Sequence, residues 1–199
     1  MIKQSLYAAR RIHKRVYWKL LLVLGMKQRS WDDQFNANIW SQGPHSDNTI
    51  QLVTELCEGG AIVEFGCAEG RLPCSLGLGT FSGYTGYDVS EVAIAKAKLR
   101  AKSAGVVNCQ FEIGDMASWE GCKSASLIVF EECLYYLSKA EVKRILKICS
   151  DSLISTGKIL VIVHSAKKHR DTLNTCRETC SVMKEIVIED RTYLVCKPR

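Results

Sequence analysis

Apolar positions along the chain change their spacing several times, and each change marks an element. Over residues 2–26, Ile2, Leu6, Ala9, Val16, Leu20 and Leu24 recur at helical intervals with basic residues between them, which predicts a helix. Residues 30–48, SWDDQFNANIWSQGPHSDN, are polar, contain two tryptophans and read as a connector. A helix over about Thr49–Cys57 follows, with Asp47 or Asn48 as its cap and Glu58-Gly59-Gly60 as its stop. Ala61–Phe65 is a short apolar run between glycines, as expected of a parallel strand buried on both faces. A helix over Arg71–Leu78 and a strand over Tyr84–Asp88 come next. Ser90–Ser103 predicts a helix capped by Ser90, and Val107–Ile113 and Ser126–Phe130 predict strands. Lys139–Ser152 reads as a helix with Val142, Ile145, Leu146 and Ile148 on its apolar face. Thr156-Gly157 reads as a turn before a strand at Lys158–Val163. A polar helix near Lys167–Thr179 leads to a hairpin of Val182–Ile188 and Tyr193–Lys197. Strands separated by helical runs predict an α/β fold. Its sheet is Rossmann-like, doubly wound and mostly parallel, closed by an antiparallel hairpin and preceded by a helical appendage.

A chain of 199 residues suits one full domain with a short extension. We place the extension at residues 1–48 and the domain at 49–199. Charge sharpens this division. Residues 1–29 contain eight basic residues and no acid, whereas the whole chain carries only +6, which leaves the rest at −2. A nearly neutral body argues against a uniform nucleic-acid surface. Two readings of the arm stand side by side: a helix packed on the domain with a solvated basic face, or one resting peripherally on an anionic membrane surface or phosphorylated carrier. The run Leu20–Leu24 is too short to cross a bilayer. No small-residue cleavage site follows it promptly, so a signal peptide fits poorly. A transit peptide fits the acid-free arm better. Ten cysteines occur without a CxxC pair, so zinc-ribbon and thioredoxin readings have no support. Most lie in predicted strands or apolar helix faces, where a thiol behaves as a small hydrophobe, and we expect reduced thiols in a cytoplasmic protein.

Chemistry concentrates where the first strand ends. The segment AIVEFGCAEGRL, residues 61–72, runs a buried strand into Glu64-x-Gly66-x-Ala68-x-Gly70 and then into a helix. Small residues at 66, 68 and 70 let the backbone turn tightly and come close to a ligand. The next strand ends in Asp88, where an acid can accept hydrogen bonds from both ribose hydroxyls. Asp88 equally suits the N-terminal dipole of the helix that begins at Ser90. Dinucleotide enzymes need G-x-G-x-x-G, but the position that calls for the last glycine holds Arg71.

The spacing E-x-G-x-A-x-G resembles that of the class I S-adenosylmethionine-dependent methyltransferases. Phe111-Glu112-Ile113-Gly114-Asp115-Met116 resembles that family's third motif, and residues 127–137, LIVFEECLYYL, its fourth strand and following loop. The likeness is greatest to small-molecule N- and O-methyltransferases, including those acting on nodulation factors. It implies a seven-stranded sheet and S-adenosyl-L-methionine as cofactor. It also implies that Asp115 meets the adenine amino group and the Met116 amide a ring nitrogen. Candidate cofactor contacts are Glu64, Gly66, Cys67, Ala68 and Gly70 in the first loop, then Asp88 and Val89, then Asp115 and Met116. Trp31 and Trp40 are candidates for a lid folding over the cofactor or acceptor, Trp40 being a further candidate cofactor contact, with simple packing as the plainer alternative. Two departures stand out: Ala68 replaces the usual middle glycine, and Ser126 replaces an acid common at the start of the fourth strand.

Methyl transfer needs an oriented acceptor and, for a hydroxyl, a general base. His164 follows the fifth strand directly, and imidazole titrates near neutrality, which suits a base. A hydrogen-bonded structural role is the plainer reading. Glu131, Glu132 and Tyr135 follow the fourth strand and are the other candidates. These features favour a small-molecule or glycan acceptor. A protein or RNA methyltransferase, or a scaffold that keeps the fold without catalysis, are the alternatives. Nothing resembles the Asn/Asp-Pro-Pro-Tyr signature, so DNA is not expected as a substrate.

Overall fold

The computed structural model describes residues 14, 16–40 and 46–199. Helix α1 spans residues 16–23 and is followed by α2 (Lys27–Asn36) and α3 (Asp47–Cys57). The first half of the chain's α/β body contains β1 (Ala61–Phe65), α4 (Arg71–Ser75), β2 (Gly83–Asp88), α5 (Glu91–Ser103) and β3 (Cys109–Ile113). The second half contains β4 (Ala125–Glu131), α6 (Lys139–Ser152), β5 (Leu153–His164), α7 (Arg170–Thr179), β6 (Ser181–Ile188) and β7 (Arg191–Lys197). The strands form one seven-stranded sheet in the order β3-β2-β1-β4-β5-β7-β6. All neighbours are parallel except β7, which runs antiparallel between β5 and β6.

Apolar runs at the sheet centre arise because successive side chains serve opposite cores. Val63, Ile128, Phe130, Ile159 and Val161 face α6 and α7. Their neighbours Ile62, Leu127, Val129, Leu160 and Ile162 face α3 and α5. Helix starts follow local chemistry. Ser90 accepts from the Ala93 amide, and Ser138 and Glu141 form a reciprocal capping box at α6.

Three expectations need correction. The connector at 30–48 is helical over its first part, because α2 occupies Lys27–Asn36. This helix has no side-chain cap at Met26 and no regular apolar stripe. It forms because Ser30, Gln34 and Phe35 are buried against neighbours, with Ser30 Oγ donating to the Trp18 carbonyl at 3.0 Å. The cap of α3 is Ser46, which accepts from the Thr49 amide, and not Asp47 or Asn48. The turn at Thr156-Gly157 lies inside β5, where pairing jumps from Ala125↔Leu153 to Leu127↔Lys158. The turn signal therefore marks a bulge in a continuous strand. Of the predicted arm helix, residues 2–13 and 15 lie outside the described residues.

Candidate active site

Phe65 ends β1, and the chain turns through residues 66–70 into α4. Gly66, Ala68 and Gly70 all take left-handed backbone angles, with φ of 72°, 48° and 65°. A Cβ on Gly66 would lie 3.0 Å from Cys133 Cβ and 3.3 Å from the Glu131 carbonyl. One on Gly70 would lie 2.8 Å from the Phe111 ring and 2.9 Å from Ala97 Cβ. Both glycines are therefore required by conformation and by space. Ala68 takes the same conformation at a cost of about 1 kcal/mol. Ala68→Gly is expected to raise unfolding free energy by about 0.5–1 kcal/mol, and Gly70→Ala to lower it by about 2–4 kcal/mol. Urea unfolding of the two variants checks this; a loss for Ala68→Gly would contradict it.

Hydrogen bonds hold this loop to the tip of β2, which in turn holds the loop after β3. Gly66 and Cys67 amides both donate to the Tyr87 carbonyl, at 2.8 and 3.1 Å. Asp88 accepts from the Ala68 amide at 3.1 Å and the Ser90 amide at 2.9 Å. Burial pushes its carboxyl up to about 6, against the backbone hydrogen bonds, and the nearby Asp32 adds to the rise. Half-buried Val89 lies between Asp88 and Ser90. The Asp88 carbonyl accepts from the Gly114 amide at 2.9 Å, which brings the third loop alongside. Asp115 accepts from the Ala117 amide at 3.0 Å and pairs with Lys27 Nζ at 2.8 Å. Met116 is buried at the start of a short 3-10 turn. Glu64 is 2% exposed and accepts a hydrogen bond from the Tyr84 phenol, so it lies within the sheet rather than on the loop surface.

Helix α2 crosses these loops. Besides Lys27 on Asp115, its Asp32 accepts from Ser90 Oγ at 2.6 Å and from the Val92 amide at 3.2 Å. Trp31 packs edge-on against Tyr136, with centroids 5.3 Å apart, and lies 6.0 Å from Trp40. Trp40 donates to Gln34 at 3.3 Å and meets the loop after β4 through Trp31. Behind the glycine loop, buried Glu69 pairs with Lys96 at 3.0 Å and Arg100 at 3.2 Å. Lys96 also donates to the Phe35 carbonyl at 2.7 Å, which ties α2, α5 and the loop together. Lys27, Asp32, Glu69 and Lys96 are absent from the sequence reading. The one signal for them is Lys96 and Arg100 spaced one turn apart on α5.

A second cluster lies beyond β4 and β5. Glu132, with φ of 54°, accepts from the Tyr135 phenol at 3.0 Å and from the His164 amide. Burial raises the Glu132 carboxyl above its ordinary range, and burial likewise raises the Tyr135 phenol. His164 is exposed, with Nδ1 3.2 Å from Ser165 Oγ. His169 stacks on Tyr135 at 3.8 Å and 17°. Burial, then the charges of Lys168 and His164, lower its pKa and favour the neutral ring. Glu131 points elsewhere, toward Arg191 Nη1 at 3.7 Å. The fold thus joins Glu132, Tyr135 and His164, adds His169, and leaves Glu131 apart.

The groups at the strand tips fit an adenosyl ligand. A glycine turn that a Cβ would obstruct, an acid at the end of β2 and a second acid after β3 match a ribose diol and an exocyclic amine. Comparison with known proteins agrees. A family model described as a methyltransferase domain matches residues 56–194. No curated protein matches the sequence. Among solved structures, the N-methyltransferase NodS from Bradyrhizobium japonicum WM9, in complex with S-adenosyl-L-homocysteine, superposes with a TM-score of 0.65 at 17% identity, covering 80% of this chain and 91% of that one. A TehB-like SAM-dependent methyltransferase from Corynebacterium glutamicum gives 0.66 at 14% identity, covering 88% and 100%. An O-methyltransferase of neocarzinostatin biosynthesis, NcsB1, in complex with S-adenosylmethionine and a naphthoic acid, gives 0.65 at 16% identity, covering 92% and 61%.

Proposed function

This chain belongs to the methyltransferase domain family, and we propose that its acceptor is a hydroxyl or amine on a small molecule or glycan. The enzyme is S-adenosylmethionine-dependent. When bound, the cofactor supplies a methyl group activated on a sulfonium. Asp88 would hold the ribose hydroxyls, the loop 66–70 would lie against the aminoacyl portion, and Asp115 with the Met116 amide would hold the adenine. Trp31 and Tyr136 wall the side toward the acceptor.

The observation that carries the acceptor assignment is the cluster at the ends of β4 and β5. There an exposed His164 imidazole follows β5, and a half-buried Glu132 accepts from Tyr135 and from the His164 amide. Glu132 fixes the backbone that presents the ring, and Ser165 Oγ restrains Nδ1 at 3.2 Å. As a hydroxyl oxygen gains the methyl group, its proton passes to the imidazole. An amine acceptor enters already unprotonated and needs the same pocket only for orientation. Tyr135 keeps its proton, because burial and the neighbouring Tyr136 and Glu132 all raise its pKa.

Incubation with methyl-labelled cofactor and fractionated extract tests the assignment. Label is expected in a low-molecular-weight or glycan product that survives protease and nuclease. Label confined to protein or RNA would refute the acceptor class while leaving the enzyme class intact.

A further inference from the structure

Helix α1 has two faces, and only one of them is used by the fold. Trp18 and Leu21 turn inward and are buried. Ser30 Oγ donates to the Trp18 carbonyl at 3.0 Å, which locks α1 to the start of α2. On the opposite side Val16, Leu20, Val23 and Leu24 are 61%, 53%, 83% and 63% exposed. Their spacing of four, three and one places them in a single stripe. Lys19 is exposed and lies at the edge of this stripe by helical spacing. Four large aliphatic side chains on one helix face, none needed for the core, mark an interaction surface.

We propose that this face lies on an anionic lipid bilayer. Charge selects this occupant. Residues 1–29 carry eight basic residues and no acid, while residues 30–199 sum to −2 within a chain of +6. The attraction to a negative surface is therefore concentrated in the segment of the chain that carries the apolar stripe and weak elsewhere. A second copy of the chain would bring two such basic arms together, which repel. Among the described residues no helix is long and apolar enough to cross a membrane. The geometry is that of a helix lying in the interface, with aliphatic side chains below and Lys19 at headgroup level. A turn after α1 leads directly into α2, whose Lys27 and Trp31 touch Asp115 and Tyr136. Docking α1 therefore holds the bilayer next to the helix that crosses the cofactor loops.

The test uses the full chain and co-sedimentation with phosphatidylcholine vesicles, with and without phosphatidylserine. Binding is expected only with phosphatidylserine, and it should weaken as salt is added. The double substitution Leu20→Asp, Val23→Asp should reduce partitioning at least about tenfold, since it places charge in the apolar layer. Lys19→Ala should reduce it about fivefold. Thermal unfolding and cofactor affinity should not change, because none of these side chains is buried. Equal binding of wild type and the double variant would overturn the proposal. So would binding indifferent to phosphatidylserine, or a lipid-free dimer that the double variant dissociates. Vesicle binding needs neither cofactor nor methyl transfer, so its failure would leave the acceptor assignment standing.

Discussion

His164→Ala is expected to lower turnover by about 10²–10⁴-fold while cofactor affinity stays within a factor of a few. The ring is the one exposed imidazole at the end of a parallel strand among the described residues, and the backbone that carries it is held on both sides. The His164 amide is bonded to Glu132, its Nδ1 meets Ser165 Oγ, and the Ser165 amide donates to the Asp190 carbonyl at 2.7 Å. None of these contacts touches the glycine loop or Asp88, so binding and chemistry should separate. Glu132→Gln is the control. It keeps an oxygen that can accept from the His164 amide but removes the charge, so a fall of about tenfold or less is expected if Glu132 only positions the ring. A larger fall for Glu132→Gln than for His164→Ala would transfer the base to Glu132. Near-normal turnover in both would mean an amine acceptor that needs no base.

The second large effect is at Asp88. Asp88→Ala should weaken cofactor binding by about 1–3 kcal/mol, roughly 5- to 150-fold, because a charged partner of the ribose is lost. Affinity should also depend on pH. Burial pushes the carboxyl up to about 6, and only the ionised form can accept from both hydroxyls. Affinity should therefore be flat above pH ~6 and fall about tenfold per pH unit below it. Stability runs the opposite way. A carboxyl whose folded pKa is raised stabilises the fold at pH below its unfolded value. That contribution is lost as pH rises through about 6. Isothermal calorimetry across pH 5–8 measures the first trend and thermal unfolding without cofactor the second. Asp88→Asn should abolish both slopes. Unchanged affinity in Asp88→Ala with an intact fold would move the ribose elsewhere.

Much of the fold is legible in local pattern. The central strands are readable because both sheet faces are covered, which forces every position of Ile62–Phe65, Leu127–Phe130 and Ile159–Val163 to be apolar or internally bonded. The start of α5 is readable because capping chemistry is local, Ser90 lying three residues from its partner amide, and α6 is readable from the helical spacing of Val142, Ile145 and Leu146. The loop 66–70 and Asp88 are readable for a similar reason, since small residues and an acid are needed at fixed distances from strand ends. Local pattern is silent about α2. Its stability comes from burial and from Lys96 on the Phe35 carbonyl, with no cap or stripe of its own. Silent too are the pairings that assemble the site. Lys27 meets Asp115 across 88 positions, Asp32 meets Ser90 across 58, and Glu132 meets His164 across 32. By itself, then, the sequence determined the strand order's raw material, the glycine turn and the acid at its side, because each depends on neighbours a few residues away. Only the tertiary structure decided which helix covers the crevice, which carboxylates stand paired beside it and which face of α1 is left exposed. Those outcomes depend on which elements pack together, and a hydrogen bond or a buried contact carries no record of its distant partner in the residues that flank it.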